Sequence, residues 1–248
     1  MTDGVTPAGY VRVTGGRCAV IARDALADDA RALLAEGSLY EAAARDLGAR
    51  ALRGRGIVYS IALPVSGARV VVRRNRHGGL FAPLTRDLFL PPTRAPYELA
   101  TSLKLQAAGV RTPPVVMYGV ERVHAVLRHA DVVTSEVAGG RDLSTYMQPG
   151  ESGVSRAEAW SAARELVRAL NAAGARHHDL NVKNILLTPG ASGIEAWVLD
   201  VDRVAFGGAN SSSVRLGNAA RLVRSARKWR DERGSILEAG DIAALGVP

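Results

Sequence analysis

Residues 177–187 read HHDLNVKNILL, a polar block placed directly ahead of a short apolar run. A solvent-exposed loop alone would not explain the apolar residues, and a buried strand alone would not explain the polar ones. The combination predicts a polar loop at the mouth of a buried region, with residues 185–187 as the strand that anchors it.

A second polar cluster follows downstream, where the stretch VLDVDR ends an apolar segment on Asp200 and Asp202. A carboxylate at the end of a buried strand is costly unless it is paired or binds a cation. One Asp that accepts a hydroxyl proton, with an Asn and a second Asp that hold Mg²⁺, is the residue set of phosphoryl transfer by kinases. We therefore predict Asp179 as the catalytic base and Asn184 and Asp200 as Mg²⁺ ligands, since Mg²⁺ prefers oxygen. The alternative, a turn-capping Asp179 and an exposed Asp200, suits an isolated H-x-D but not the full H-x-D-x-x-x-x-N and D-x-D pattern.

The amino-acid composition limits the kinds of protein that this chain can be. The chain has 248 residues, of which 47% are hydrophobic and 23% charged, as in a globular protein with a sizeable core. Apolar runs are too short to span a bilayer, and the N-terminus lacks the features of a signal peptide, so we expect a cytosolic protein. A single cysteine, Cys18, excludes an internal disulfide and a cysteine-based zinc site.

The net charge of +8 is compatible with nucleic acid, an anionic membrane surface or a phosphorylated substrate as partner. The basic residues are spread along the whole chain, so charge alone does not decide between these partners. Aromatic residues make up only 5% of the sequence, which leaves little for base stacking. A nucleic-acid-binding module therefore ranks last.

Hydrophobic periodicity predicts strands first and helices later, which indicates an α+β protein of two lobes. We expect an N-terminal lobe over 1–135, made of a helical extension (1–50) and a nucleotide-binding β-lobe (51–135), and a C-terminal catalytic lobe over 136–248. The predicted elements are strands at 57–63 and 68–74, a helix at 94–108, short β segments over 111–137, and helices at 142–146, 155–173 and about 214–230. Ser155 with Glu158 has the spacing of a capping box at the start of its helix.

Four segments carry a resemblance to a known family. They are VRRNRHGGLFAPLTRDLFL (72–90), TRAPYELATSLKLQAAGVRTPPVVMYGV (93–120), HHDLNVKNILL (177–187) and RLGNAARLVRSARKW (215–229). In this order they resemble the lipopolysaccharide kinases of the protein-kinase-like superfamily, most of all the branch that phosphorylates 3-deoxy-D-manno-octulosonic acid (Kdo) on a lipid A precursor. The resemblance covers about residues 50 to 230.

The resemblance implies a bilobal protein-kinase-like fold, with a β-rich N-lobe and a mainly helical C-lobe, and ATP and Mg²⁺ as cofactors. Within the C-lobe, Asp179 would orient the sugar hydroxyl, and Asp202 would assist the Mg²⁺ ligands Asn184 and Asp200. His177 would support the loop from below by packing.

The same resemblance implies nucleotide contacts in the N-lobe. Gly54 and Gly56 would let backbone amides approach the phosphates, and Glu98 would pair with a basic residue of the adjacent strand. Most kinases carry lysine at that strand position, where this chain has Arg73, and Arg74 remains an alternative. Glu136 falls at the hinge, where backbone groups would meet adenine.

The implied partner is a Kdo-lipid A precursor, an anionic glycolipid, with peripheral contact to the cytoplasmic face of the inner membrane. Segment 76–90 interleaves basic and large apolar residues, which suits an anionic interface. Two alternatives stay open: a kinase for another sugar or small molecule (heptose or aminoglycoside-like), and a nucleotide-binding pseudokinase. The acceptor hydroxyl and the oligomeric state do not follow from the sequence.

Overall fold

The computed structural model describes residues 6–53, 56–76, 87–150, 154–190, 193–243 and 245. The chain divides into two compact units, Met1–Ala100 with Pro114–Glu136 and Thr101–Pro113 with Val137–Pro248. This division differs from the expected lobes in two respects, since residues 101–113 belong to the second unit and Glu136 belongs to the first. The reason for the first difference is packing, because Leu105 and Val110 are buried in the core of the second unit.

Antiparallel strands dominate the first unit. They form a seven-stranded sheet in the order β1-β2-β6-β7-β5-β4-β3. The strands are β1 (Tyr10–Gly15), β2 (Cys18–Arg23), β3 (Arg50–Arg53), β4 (Ile57–Ala62), β5 (Arg69–Arg74), β6 (Val115–Arg122) and β7 (Arg128–Ser135). The predicted strands at 57–63 and 68–74 are confirmed as β4 and β5.

The first 50 residues differ from the expected helical extension. Helices α1 (Ala27–Ala35) and α2 (Leu39–Arg45) lie within the alanine-rich region, but β1 and β2 precede them and pair as a hairpin. Strand β2 also pairs with β6, so the hairpin extends the sheet. The stretch CAVIAR of β2 was missed because it is short, and buried residues on both faces erase the alternation that marks a strand.

The second unit combines helices with two small sheets, ordered β11-β10-β8 and β12-β9. The strands are β8 (Arg141–Asp142), β9 (Ala175–His177), β10 (Ile185–Gly190), β11 (Gly193–Val198) and β12 (Val204–Phe206). The helices are α4 (Leu143–Tyr146), α5 (Arg156–Ala172), α6 (Ser212–Arg233) and α7 (Ala239–Ala243), while α3 (Ala95–Ala107) crosses the division between the units. The core includes the fully buried Trp160, Leu170, Leu180, Ile185 and Leu222.

The helix predictions hold in this unit. Helix α5 begins with the expected capping box: Ser155 Oγ accepts from the Glu158 amide at 3.2 Å, and the Glu158 carboxylate accepts from the Ser155 amide at 2.9 Å. The anchoring run after the polar loop is β10, which pairs with β11. Of the helices that the structure describes, none is both long enough and apolar enough to cross a bilayer.

Candidate active site

The polar loop leaves β9 at His177 and enters β10 at Ile185. Leu180 and Val182 are fully buried and fix the loop to the core of the second unit. Asn181 shapes the turn: its Oδ1 accepts from the amides of Lys183 (2.9 Å) and Asn184 (3.1 Å), and its Nδ2 donates to the Asp179 carbonyl at 3.0 Å. The loop is therefore held by the core on one side and by its own side chains on the other.

His177 is buried and supports the loop, the role that the family resemblance implied for it. Its Nε2 lies 2.9 Å from the Leu199 carbonyl and its Nδ1 accepts from the Asp179 amide at 3.1 Å, which assigns the proton of the neutral ring to Nε2. Burial lowers the pKa of His177; the hydrogen bond to Leu199 and the carboxylates of Asp200, Asp179 and Asp202 oppose that shift without cancelling it. The carboxylates of Asp179, Asp200 and Asp202 thus all lie close enough to His177 to influence its pKa.

Asn184 and Asp200 lie at the same end of the β10–β11 hairpin. The Leu199 amide donates to the Asn184 carbonyl at 2.9 Å, next to the pair formed by Ile185 and Val198. The Asn184 Nδ2 donates to the Asp179 carbonyl at 2.9 Å, so the side-chain oxygen of Asn184 is the atom that a cation would bind. The loop and the hairpin end therefore place Asp179, Asn184 and Asp200 close together.

Asp200 has a left-handed backbone conformation, with φ 54° and ψ 49°. Such a conformation is uncommon for a residue other than glycine, and residues held in sparsely populated regions cluster at functional sites. Asp202 lies in the short 3₁₀ turn Val201–Arg203 that follows, with Arg203 Nε 3.7 Å from its carboxylate.

The donor set fits a hard cation. Asn184 and Asp200 offer oxygen ligands, and Mg²⁺ is usually bound by one or two carboxylates together with substrate phosphates and water. Within the described part of the chain, no group of three or more His, Cys, Asp and Glu side chains is arranged to bind a metal. A Mg²⁺ ion held by Asn184 and Asp200 would take its remaining ligands from nucleotide phosphates and water.

Helix α6 contributes three residues that the sequence analysis did not assign. Asn218 accepts from the His177 amide at 2.8 Å, Arg221 Nη2 lies 2.5 Å from Asp179 Oδ1, and Ser225 accepts from the Val182 amide at 3.2 Å. These positions share one helix face. The closing segment of the family resemblance contains all three residues. The sequence does not show that this segment contacts the loop, nor which face of the helix does so.

In the first unit, Arg73 and Glu98 form the expected ion pair between strand β5 and helix α3. The Arg73 side chain also donates to Asn75 Oδ1 at 2.9 Å. Glu98 is buried, with its side chain 3% exposed, whereas that of Arg73 is 24% exposed. The buried Glu98 therefore holds Arg73 in place, while the guanidinium of Arg73 stays partly exposed to solvent.

Arg74 has a different environment, since its side chain is only 8% exposed. Its Nε donates to Asp131 at 2.8 Å, its Nη2 donates to Ser38 Oγ at 2.7 Å, and its guanidinium lies over the Tyr40 ring at 4.9 Å. These contacts tie the start of α2 to β5 and β7. Of the two arginines, Arg73 has the more exposed side chain.

Glu136 is engaged within the first unit. Its carboxylate forms ion pairs with Arg50 and Arg69, the latter at 3.1 Å, and accepts from Ser60 Oγ at 2.8 Å. Burial opposes its ionisation, but the hydrogen bonds from Ser60 and Arg69 outweigh it and lower the pKa of Glu136. Its amide donates to the Arg69 carbonyl at 3.0 Å, so that N–H is not available to adenine.

The remaining predicted contacts are only partly described. Gly54 lies outside the described residues, as do residues 77–86 of the basic and apolar segment. At Gly56 a β-carbon would come within 2.9 Å of the Arg76 guanidinium, so the absent side chain makes room for that cation. Phe89 is buried and its backbone pairs with that of Arg128, so this apolar residue packs inside the unit.

Comparison with known proteins gives a consistent result. The family model described as lipopolysaccharide kinase (Kdo/WaaP) family matches residues 47–236. A 3-deoxy-D-manno-octulosonic acid kinase from Vibrio cholerae is 32% identical over 188 residues, 73% of this chain and 74% of that protein. A protein of the same name from Actinobacillus succinogenes is 29% identical over 194 residues, 76% of this chain and 79% of that protein.

Two solved structures share the fold. WaaP in complex with acyl carrier protein superposes with a TM-score of 0.57 and 21% identity, covering 91% of this chain and 86% of that one. The Rio2 kinase–ADP/Mg²⁺–phosphoaspartate complex from Chaetomium thermophilum gives a TM-score of 0.51 and 16% identity, covering 97% and 73%. The expected protein-kinase-like fold, α+β with a β-rich unit and a mainly helical unit, is confirmed.

Proposed function

The chain belongs to the lipopolysaccharide kinase (Kdo/WaaP) family, a family of phosphotransferases with a sugar hydroxyl as acceptor, and on that premise we propose a specific reaction for it. The protein transfers the terminal phosphoryl group of ATP to a hydroxyl of Kdo in a lipid A precursor, during assembly of the lipopolysaccharide inner core. The relatives named 3-deoxy-D-manno-octulosonic acid kinase support Kdo as the acceptor.

The observation that carries the proposal is the convergence of Asp179, Asn184 and Asp200 around the loop and the hairpin end. Asp179 accepts the hydrogen bond of the acceptor hydroxyl and takes up its proton as the oxygen attacks the γ-phosphorus and the bond to ADP breaks. Asn184 and Asp200, assisted by Asp202, hold Mg²⁺. The chemistry that Mg²⁺ would supply there is Lewis-acid stabilisation of the negative charge that develops on the transferred phosphoryl group.

Residues of the first unit serve the nucleotide. Arg73, held by Glu98, contacts the phosphates, where a guanidinium fork binds differently from the ammonium group of lysine. The backbone at Gly54 and Gly56 approaches the same phosphates. Adenine meets the backbone at Glu136 through the carbonyl oxygen, because the amide of that residue is already bonded.

A Kdo-lipid A precursor is an anionic amphiphile, so the enzyme works at a membrane surface. We infer peripheral attachment to the cytoplasmic face of the inner membrane. The net charge of +8 supports this attachment, since basic side chains are attracted to anionic headgroups.

The test is direct phosphorylation. Purified protein is incubated with Mg-ATP and a Kdo-bearing lipid A precursor, and the lipid is weighed by mass spectrometry. Asp179→Asn removes the base with almost no change in shape, and Asp28→Asn, at an exposed position on α1, is the matched control. We expect a gain of one phosphate with the wild type and with Asp28→Asn, and a rate at least about 10³-fold lower with Asp179→Asn.

Three other outcomes have distinct meanings. Phosphorylation of a heptose or an aminoglycoside-like compound in place of Kdo would replace the acceptor and keep the reaction. Nucleotide binding without transfer to any acceptor would favour the pseudokinase alternative. Equal rates for Asp179→Asn and wild type would contradict the assignment of the base.

A further inference from the structure

Arg221 of helix α6 contacts the carboxylate of the proposed base. Its Nη2 lies 2.5 Å from Asp179 Oδ1, although 42 residues separate the two in sequence. The side chains are 38% and 25% exposed, so the pair sits at the edge of the interior and not free in solvent. A guanidinium fixes the plane of a carboxylate better than an ammonium group does.

The helix that carries Arg221 is itself fastened to the loop. Asn218, one turn earlier, is fully buried and bonds the His177 amide and the Ala175 carbonyl, and Ser225, one turn later, bonds the Val182 amide. Hydrogen bonds made one helical turn before and one turn after Arg221 therefore fix its position relative to Asp179. An ion pair between two mobile surface side chains would lack this definition.

The position of Arg221 has an unfavourable contribution to stability. Its Nε is buried and has no hydrogen-bond partner among the described residues. A buried donor without a partner is unfavourable, and such groups in folded proteins call for an explanation such as a catalytic role. The contact with Asp179 provides that explanation, since the guanidinium orients a carboxylate that shares the surroundings of His177 with Asp200 and Asp202.

Resting on the proposed function, we propose that Arg221 is the positioning residue of the catalytic aspartate. Its guanidinium holds Oδ1 of Asp179 and so fixes the orientation of the carboxylate that accepts from the acceptor hydroxyl. Arg221 acts through Asp179 and not on the nucleotide. Its loss should therefore lower kcat and leave the KM for Mg-ATP unchanged.

The test compares Arg221→Ala, Arg221→Gln and Arg221→Lys with Arg215→Gln, which removes the same charge from an exposed position of α6. We expect kcat to fall about 100- to 300-fold in Arg221→Ala and Arg221→Gln, at the lower end of the usual size of an acid–base contribution. Arg221→Lys should recover part of this loss, and the KM for Mg-ATP should stay within twofold in every variant. Adding guanidinium ion at tens of millimolar should raise kcat of Arg221→Ala and not that of Arg221→Gln, whose side chain fills the space.

A purely structural arginine would behave differently. A kcat of Arg221→Gln within threefold of the wild type, or an equal loss in Arg215→Gln, would overturn the proposal. So would a loss of activity that follows a loss of folded protein, measured by circular dichroism, with no recovery in Arg221→Lys and none with guanidinium. If the wild type phosphorylates no Kdo acceptor, the proposed function fails, and the same comparisons are made on the acceptor found or on ATP hydrolysis, where the same results support or overturn the role of Arg221.

Discussion

At the scale of single residues, neighbouring arginines of β5 have separate tasks because successive side chains of a strand point to opposite faces of the sheet. Arg74 neutralises the buried Asp131, so Arg74→Gln leaves a buried carboxylate without this cationic partner, with the Tyr40 amide still donating to it. We expect a loss of about 3–5 kcal/mol in the free energy of unfolding. Urea denaturation measures it, with Arg17→Gln, at an exposed position before β2, as the control. A loss below about 1 kcal/mol for Arg74→Gln would contradict a structural role.

His177 makes the stability depend on pH. Its pKa is lowered in the folded state, chiefly by burial, so the folded protein holds the neutral ring while the unfolded chain takes up a proton below about pH 6.5. Stability is therefore complete above that pH and falls as the pH drops through it, by up to about 1.4 kcal/mol per pH unit.

Thermal unfolding between pH 5 and pH 8 checks this dependence. In His177→Gln the contribution of the ring is absent, and we expect a flatter curve between pH 5 and pH 6.5. Carboxylates with lowered pKa values, such as Glu41 and Glu136, lose their contribution at lower pH and do so in both proteins. Curves of equal slope in this window would show that burial of His177 does not set the pH dependence.

At the scale of elements, the connection between α5 and the loop rests on Gly174. This residue has φ 66°, and a β-carbon there would come within 2.3 Å of the Gly207 carbonyl. Its own carbonyl accepts from the Gly207 amide at 2.8 Å, which joins the start of β9 to the segment before α6. The glycine thus fixes both the direction of the chain and the distance between two segments that hold the site.

Gly174→Ala should therefore cost more than the left-handed backbone alone. Gly234, which ends α6 with φ 64°, has open space where its β-carbon would lie, so Gly234→Ala isolates the backbone effect. We expect about 1–2 kcal/mol for Gly234→Ala and about 3 kcal/mol or more for Gly174→Ala. Chemical denaturation of both variants measures the difference, and equal losses would mean that the Gly207 contact is relieved without cost.

Elements whose signals are local were predictable from the sequence. The loop, its anchoring strand and the capping box of α5 depend on residues a few positions apart, and the structure has all three. The contact between Arg221 and Asp179 was not predictable, since it joins segments 42 residues apart. Glu136 likewise forms an ion pair with Arg50, 86 residues away. The sequence therefore suggested Glu136 as a hinge residue but did not show that its side chain is ion-paired.

At the scale of the whole molecule, the N-terminal residues are an integral part of the first unit, although the family model begins at residue 47. Strand β2 pairs with β6, and residues of the hairpin and of α1 and α2 share one core with β5 and β7. Of these the core includes Val13, Val20, Ala30, Leu33, Leu39 and Ala43, packed with Val72 and Val133. Composition alone indicated helix here, because alanine-rich segments favour it, and the pairing partner of β2 lies about 100 residues away.

Removal of residues 1–46 should therefore destabilise the protein and not merely shorten it. The deletion takes β1, β2, α1 and α2 from the core and leaves the edge of β6 unpaired, and exposed edges of this kind promote aggregation. We expect insoluble protein, or a soluble fraction whose melting temperature is lower by 10 °C or more, on the order of the shift produced by losing several buried side chains. The hairpin turn offers a milder control, since Gly16 has φ 55° and open space at its β-carbon position, so Gly16→Asn should be tolerated. A soluble truncated protein that melts at the wild-type temperature and phosphorylates the same acceptor would show that the family core folds without the N-terminal strands and helices.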